Sequence, residues 1–78
     1  MAKTYPVKPG CEYRHYKGKT YKVLFVGKDA QTNEHVVVYR SQHGAFQIWV
    51  RPLRNFNDFI DRNGYRGPRF MEVKHDRR

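Results

Sequence analysis

The chemistry on offer in this sequence is that of guanidinium groups set beside aromatic rings. Arg14 lies between Tyr13 and His15, Arg40 follows Tyr39, Arg51 stands two residues after Trp49, and Arg69 precedes Phe70. Arginine presents a planar fork of donors that matches phosphate and carboxylate oxygens. Tyr13, Tyr39 and Trp49 offer faces for stacking a base, a contact worth roughly 1–3 kcal/mol in single-strand binders. His15 adds a hydrogen-bond donor that gains charge near an anion. The candidate ligand-binding set is therefore Tyr13, Arg14, His15, Tyr39, Arg40, Trp49, Arg51 and Arg69. A purely structural use of the same residues stands beside this one. The three rings also suit the core of a small domain, and Arg40 and Arg51 can pair with Glu12 or Glu72 across strands.

Other chemistries find less support. The histidines are His15, His35, His43 and His75, none at a close metal-ligand spacing, and Cys11 has no second cysteine beside it. No metal and no cofactor is expected. Asp58 and Asp61 would share a helical face, but a solvated one. Ser41, the only serine, lies in no nucleophile-elbow pattern. Lys17-Gly18-Lys19 is a turn without the framework of a phosphate loop. A hydrolase built on His15 and an acid such as Glu12 is the remaining catalytic reading, because acid–base work needs only a positioned pair. No catalytic residue is assigned.

The frame that must position these groups is small. Seventy-eight residues make one domain, which buries roughly 60–65% of the surface its unfolded chain exposes. That leaves room for one core and one shallow site. Charged residues are 29% of the chain and mean hydropathy is −0.95, yet 15% of residues are aromatic, which sets the chain apart from disordered sequences. A net charge of +9 favours a polyanionic partner. A single cysteine excludes an internal disulfide. Met1 to Lys8 holds no apolar run, and no stretch approaches the roughly 18 apolar residues of a membrane span. The expectation is a cytoplasmic protein without a membrane segment.

Residues 1–9 read as a flexible arm, 10–74 as a single β-rich domain and 75–78 as a charged end. Strands are expected over Cys11–Tyr16, Thr20–Lys28, His35–Arg40, Phe46–Arg51 and Arg69–Lys74. In the second, Tyr21, Val23 and Phe25 should face the core. The third, with its three valines, should be central and buried on both faces. In the fourth, Phe46, Ile48 and Val50 should point inward, sending Trp49 and Arg51 to the opposite face. Pro52 ends that strand. Leu53, Phe56, Phe59 and Ile60 suggest one or two helical turns, and Asn63-Gly64 a hairpin-grade turn. The fold class is mostly β: a small SH3-like or OB-like barrel, or a bent antiparallel sheet with one short helical turn.

Several strings occur together and in order: Tyr13-Arg14-His15-Tyr16-Lys17-Gly18, Tyr21 with Val23-Leu24, Val37-Val38-Tyr39-Arg40, Trp49-Val50-Arg51-Pro52-Leu53, Phe56, and Pro68-Arg69-Phe70. Together they resemble the bacterial and phage family known as domain of unknown function 1653, over residues 10 to 73. The resemblance implies a compact single β domain and carries no settled activity. The sequence departs from the family pattern at Lys28-Asp29-Ala30-Gln31-Thr32 and at His43-Gly44-Ala45.

The functional expectation is a non-enzymatic module that binds an anionic, phosphate-bearing ligand, nucleic acid or nucleotide. One variant is a phage-type sponge that sequesters a signalling nucleotide, which would be a homo-oligomer with sites at subunit boundaries. An adaptor for an acidic protein partner and a small hydrolase or accessory subunit are the rival readings.

Overall fold

The computed structural model describes residues 7–74. The expected end at 75–78, and all of the expected arm except residues 7–9, lie outside the described residues. Seven strands and one short helix follow in the order β1 (Glu12–His15), β2 (Thr20–Lys28), β3 (His35–Ser41), β4 (Ile48–Pro52), α1 (Leu53–Phe56), β5 (Phe59–Arg62), β6 (Tyr65–Pro68) and β7 (Phe70–Glu72). All pairings are antiparallel. Five strands form one sheet in the order β4-β3-β2-β1-β7, and β5 and β6 form a separate hairpin.

The local chemistry explains the punctuation. Gly18 (φ 112°) allows the tight turn between β1 and β2. Asn63 and Gly64, at φ 52° and 85°, supply the two left-handed residues of the β5–β6 turn, as that dipeptide predicts. Pro52 closes β4, an edge strand where a missing N–H is tolerated.

The sheet does not close into a barrel, since β4 and β7 are its two edges; it curls. Laid flat, five strands would set β4 and β7 about 19 Å apart. Yet the Arg51 guanidinium on β4 lies 5.6 Å from the centroid of the Phe70 ring on β7. The concave side holds the core of Tyr13, Val23, Val37, Tyr39, Phe56 and Phe70, with Val7, Cys11, Tyr21, Val26 and Leu53 packed around it. Phe56 from α1 stacks flat on Phe70 at 4.0 Å. It also meets Tyr13 and Tyr39 edge-on at 5.4 and 5.5 Å. Such ring pairs contribute about 0.5–1.5 kcal/mol each beyond area burial.

Three sequence expectations need correction. The alternation in β2 breaks after Val23: Val23 pairs with Tyr39 but Phe25 with Val38, so Leu24 is the extra residue of a β-bulge. The bulge turns Phe25 outward, where it is 67% exposed, and brings Val26 to the core instead. The parity of β4 is the reverse of that expected. Trp49 lies opposite Tyr39 and Arg51 opposite Val37, both buried core residues, so Trp49 and Arg51 share the concave side. Phe46, Ile48 and Val50 are exposed. Phe46 lies outside the strand altogether, in the left-handed region at φ 54°. Helical spacing holds only to Phe56, and Phe59 and Ile60 belong to β5. A fourth reading holds in part: β3 is central, but only Val37, Tyr39 and Ser41 are buried, while Val36 and Val38 are half-buried on the outer face.

Candidate functional site

The curl of the sheet creates a hollow of about 140 Å³ lined by His15, Tyr21, Tyr39, Trp49, Arg51 and Phe70. These residues come from all five strands. Arg51 is the centre of its charge. Its Nε–H donates to Tyr39 Oη at 3.0 Å, and an Nη1 hydrogen goes to Asn55 Oδ1 at the end of α1. The guanidinium sits over the Phe70 ring. All three neighbours are neutral. The ion pairs among the described residues are Lys8–Glu72, Arg54–Glu34, Arg66–Asp61 and Arg69–Asp58; none of them involves Arg51.

His15 forms the opposite wall. The backbone N–H of Lys17 donates to its Nδ1 at 3.1 Å, which places the proton of the neutral ring on Nε2. The ring packs edge-on against Phe70 at 4.9 Å and tilted against Tyr16 at 4.6 Å. Burial, followed by the positive charges of Arg51, Arg69 and Lys17, holds its pKa below the ordinary 6.5. At neutral pH His15 is therefore an uncharged donor facing a cationic neighbourhood.

Trp49 stands at the mouth, 48% exposed. Its indole N–H donates to Ser41 Oγ at 3.1 Å, and the Ser41 hydroxyl donates to the Gln47 carbonyl at 3.3 Å. This relay fixes the ring plane and accounts for the burial of Ser41. Tyr21 closes the floor with edge contacts to Tyr39 and Phe70 at 5.4 and 5.8 Å.

Four of the eight sequence candidates thus come together: His15, Tyr39, Trp49 and Arg51. The others have different places. Tyr13 is core, with its hydroxyl accepting the Lys8 N–H at 3.0 Å; burial, above all, raises its pKa and keeps it neutral. Arg69 is a brace. Its Nε–H donates to the Asn55 carbonyl at 3.2 Å and its Nη2 meets Asp58 at 3.4 Å, tying α1 to the start of β7 while its charge is felt at His15. Arg14 lies on the outer face opposite Met71. It lines a second hollow of about 400 Å³, shared with His15, Tyr16 and Tyr65, where the two tyrosine rings stack at 5.2 Å. Arg40 is also on the outer face, beneath the Phe46 ring.

Tyr21, Ser41, Asn55 and Phe70 belong to the site and were not among the candidates. Tyr21 and Phe70 were legible only as core positions. Asn55 stands four residues after Arg51, and it is the passage from β4 straight into α1, not any motif, that brings the two side chains together. Among the described residues no group of three or more histidine, cysteine or carboxylate side chains could hold a metal ion, and no helix is long and apolar enough to cross a membrane.

With this geometry in view, comparison with known proteins places the chain. The family described as Protein of unknown function (DUF1653) matches residues 11–72. The chain belongs to this family. A crystal structure of a family member from Bordetella bronchiseptica is similar to it at 35% identity, over 92% of this chain and 94% of that one, with a TM-score of 0.77. The likeness spans nearly the whole of both chains, so the curled sheet described above is shared with that structure. No curated protein matches the chain.

Proposed function

We propose that this domain is a non-enzymatic binding module for a phosphate-bearing anion, nucleic acid or nucleotide, held on the concave face by Arg51, His15 and Trp49. The observation that carries this reading is Arg51: a half-buried guanidinium with neutral partners alone. Charges withdrawn from water are ordinarily paired, and an anion entering the hollow would supply the missing partner. Arg51 retains its Nη2 group for that purpose, and the Nε2–H of His15 is a second donor. The exposed indole of Trp49, held in place by Ser41, is a stacking surface for a base.

Binding fits His15 better than catalysis does. The charged groups that shift its titration are the cations Arg51, Arg69 and Lys17, and its Nδ1, through which a carboxylate would orient a general base, accepts the Lys17 N–H instead. The half-buried free thiol of Cys11 agrees with a reducing, cytoplasmic setting.

The test is to purify the domain at low salt without nuclease, denature it, and identify what is released by mass spectrometry and gel. A discrete nucleotide, bound with a shallow salt dependence, establishes the small-ligand form and makes the sponge variant the next question, answered by oligomeric state. Heterogeneous nucleic acid that salt removes steeply establishes the polymer form. If nothing is released and no phosphate-bearing anion raises the melting temperature, the proposal fails.

A further inference from the structure

The outer face of the five-stranded sheet poses a separate question. An antiparallel sheet with one side on the core normally shows polar residues on the other. Here Val50, Val38 and Phe25 lie side by side across β4, β3 and β2, with Ile48 next along β4. Phe25, Val50 and Ile48 are 67%, 65% and 55% exposed. A contiguous apolar row on so small a domain marks an interaction surface.

The charges around the row indicate what covers it. Ile48, Arg40, Lys22 and Glu12 form the adjacent cross-strand row, and Arg14 lies beyond, opposite Met71. Arg14, Lys22 and Arg40 take part in none of the ion pairs among the described residues. Glu12 accepts from the Gln42 amide at 3.4 Å. The Arg40 guanidinium is held by Gln42 Oε1 at 3.4 Å and by the Phe46 ring, and its buried Nε–H has no acceptor.

We infer that this face docks an acidic protein whose contact surface has an apolar centre and carboxylates at its rim. The alternatives fit less well. A second copy would bring another +9 chain and the same three cations into contact. A nucleic acid would meet a row that is mostly aliphatic, Val38, Val50 and Ile48, with Phe25 as its single ring for stacking. Docking takes place on the face rather than by strand addition at β4, because Pro52 and the inward-pointing Arg51 blunt that edge.

The test places a photo-crosslinking benzophenone amino acid at position 25 or 50 of the full chain, with position 31 in the β2–β3 loop as control. Illumination in extract of the producing cell is followed by sequencing of the cross-linked peptides. The expected product is a carboxylate-rich segment of one other protein, formed from positions 25 and 50 and not from 31. That protein, purified, should bind the domain at least tenfold more weakly when Lys22→Glu and Arg40→Glu are combined, with the melting temperature of the variant verifying its fold. Val50→Ser, which leaves the charge untouched, should weaken the same complex. Cross-links confined to a second copy or to nucleic acid, equal labelling from position 31, no cross-link at all, or an affinity indifferent to charge reversal would each overturn the inference. None of these readouts depends on the concave-face ligand.

Discussion

The two faces of one sheet carry the same kinds of residue and put them to opposite uses. On the concave face aromatic rings pack against one another, and Arg51, which lines the hollow with them, is held by neutral hydrogen-bond partners. On the outer face apolar side chains stand in solvent beside Arg14, Lys22 and Arg40. The contrast shows that apolar content did not choose the inside here. Strand register did: the bulge at Leu24 and the pairing of β4 keep Val23, Val37 and Val26 with the core rings and leave Phe25, Ile48 and Val50 outside. Within the core Phe56 and Phe70 stack, and Tyr13, Tyr21 and Tyr39 meet these rings and one another edge-on.

The contrast can be broken at its strongest point first. Phe56 is 1% exposed, and Phe56→Ala should cost about 3–5 kcal/mol by transfer and cavity terms, measured by urea unfolding. A cost below 1 kcal/mol would mean that the aromatic cluster is not the core it is described to be.

Arg51→Ala should leave most of the stability in place but weaken the phosphate-bearing ligand by about 10- to 100-fold, the value of a hydrogen bond to a charged group. Arg51→Lys should restore little of it, since an ammonium lacks the fork that holds Tyr39 and Asn55 while leaving a donor for the anion. Titration calorimetry with the released ligand measures both.

His15 sharpens the comparison through pH. Its folded pKa lies below 6.5, so the unfolded chain takes up the proton first as pH falls. The stability associated with neutral His15 is complete above about pH 6.5 and is lost as pH drops through the folded value. An anion in the hollow acts the other way: it favours the charged ring, so affinity for a phosphate-bearing ligand should rise over the same interval. His15→Gln should flatten both profiles, followed by thermal unfolding and binding across pH 5–8.

The smallest effect belongs to the outer face. Phe25→Ser and Val50→Ser should each change stability by about 0.5 kcal/mol or less, as surface substitutions do. A loss several times larger would show that the face is packed in the free domain and is not open for a partner.

Much of the architecture was legible in local chemistry. The limits of β2, the start of β3, the left-handed turn at Asn63-Gly64, the stop at Pro52 and the mostly β class follow from β-branched runs, a dipeptide with a known turn preference, and a residue without an N–H. Half of the candidate site was legible as well, because arginine and tryptophan two residues apart on a strand must share a face. Which face that is was not. Alternation separates a strand's two sides, but it names the inner one only when the other is polar, and β4 carries Ile48 and Val50 against Trp49 and Arg51. A bulge at Leu24, invisible in the pattern, reversed the second half of β2. The meeting of Arg51 with Phe70, and so with the His15 that pairs with Phe70 across β1 and β7, was decided by the curl that brings opposite edges of the sheet together. Local sequence sets which residues extend and where the chain turns. Only the packed sheet decides which side is buried, because burial depends on all the strands at once.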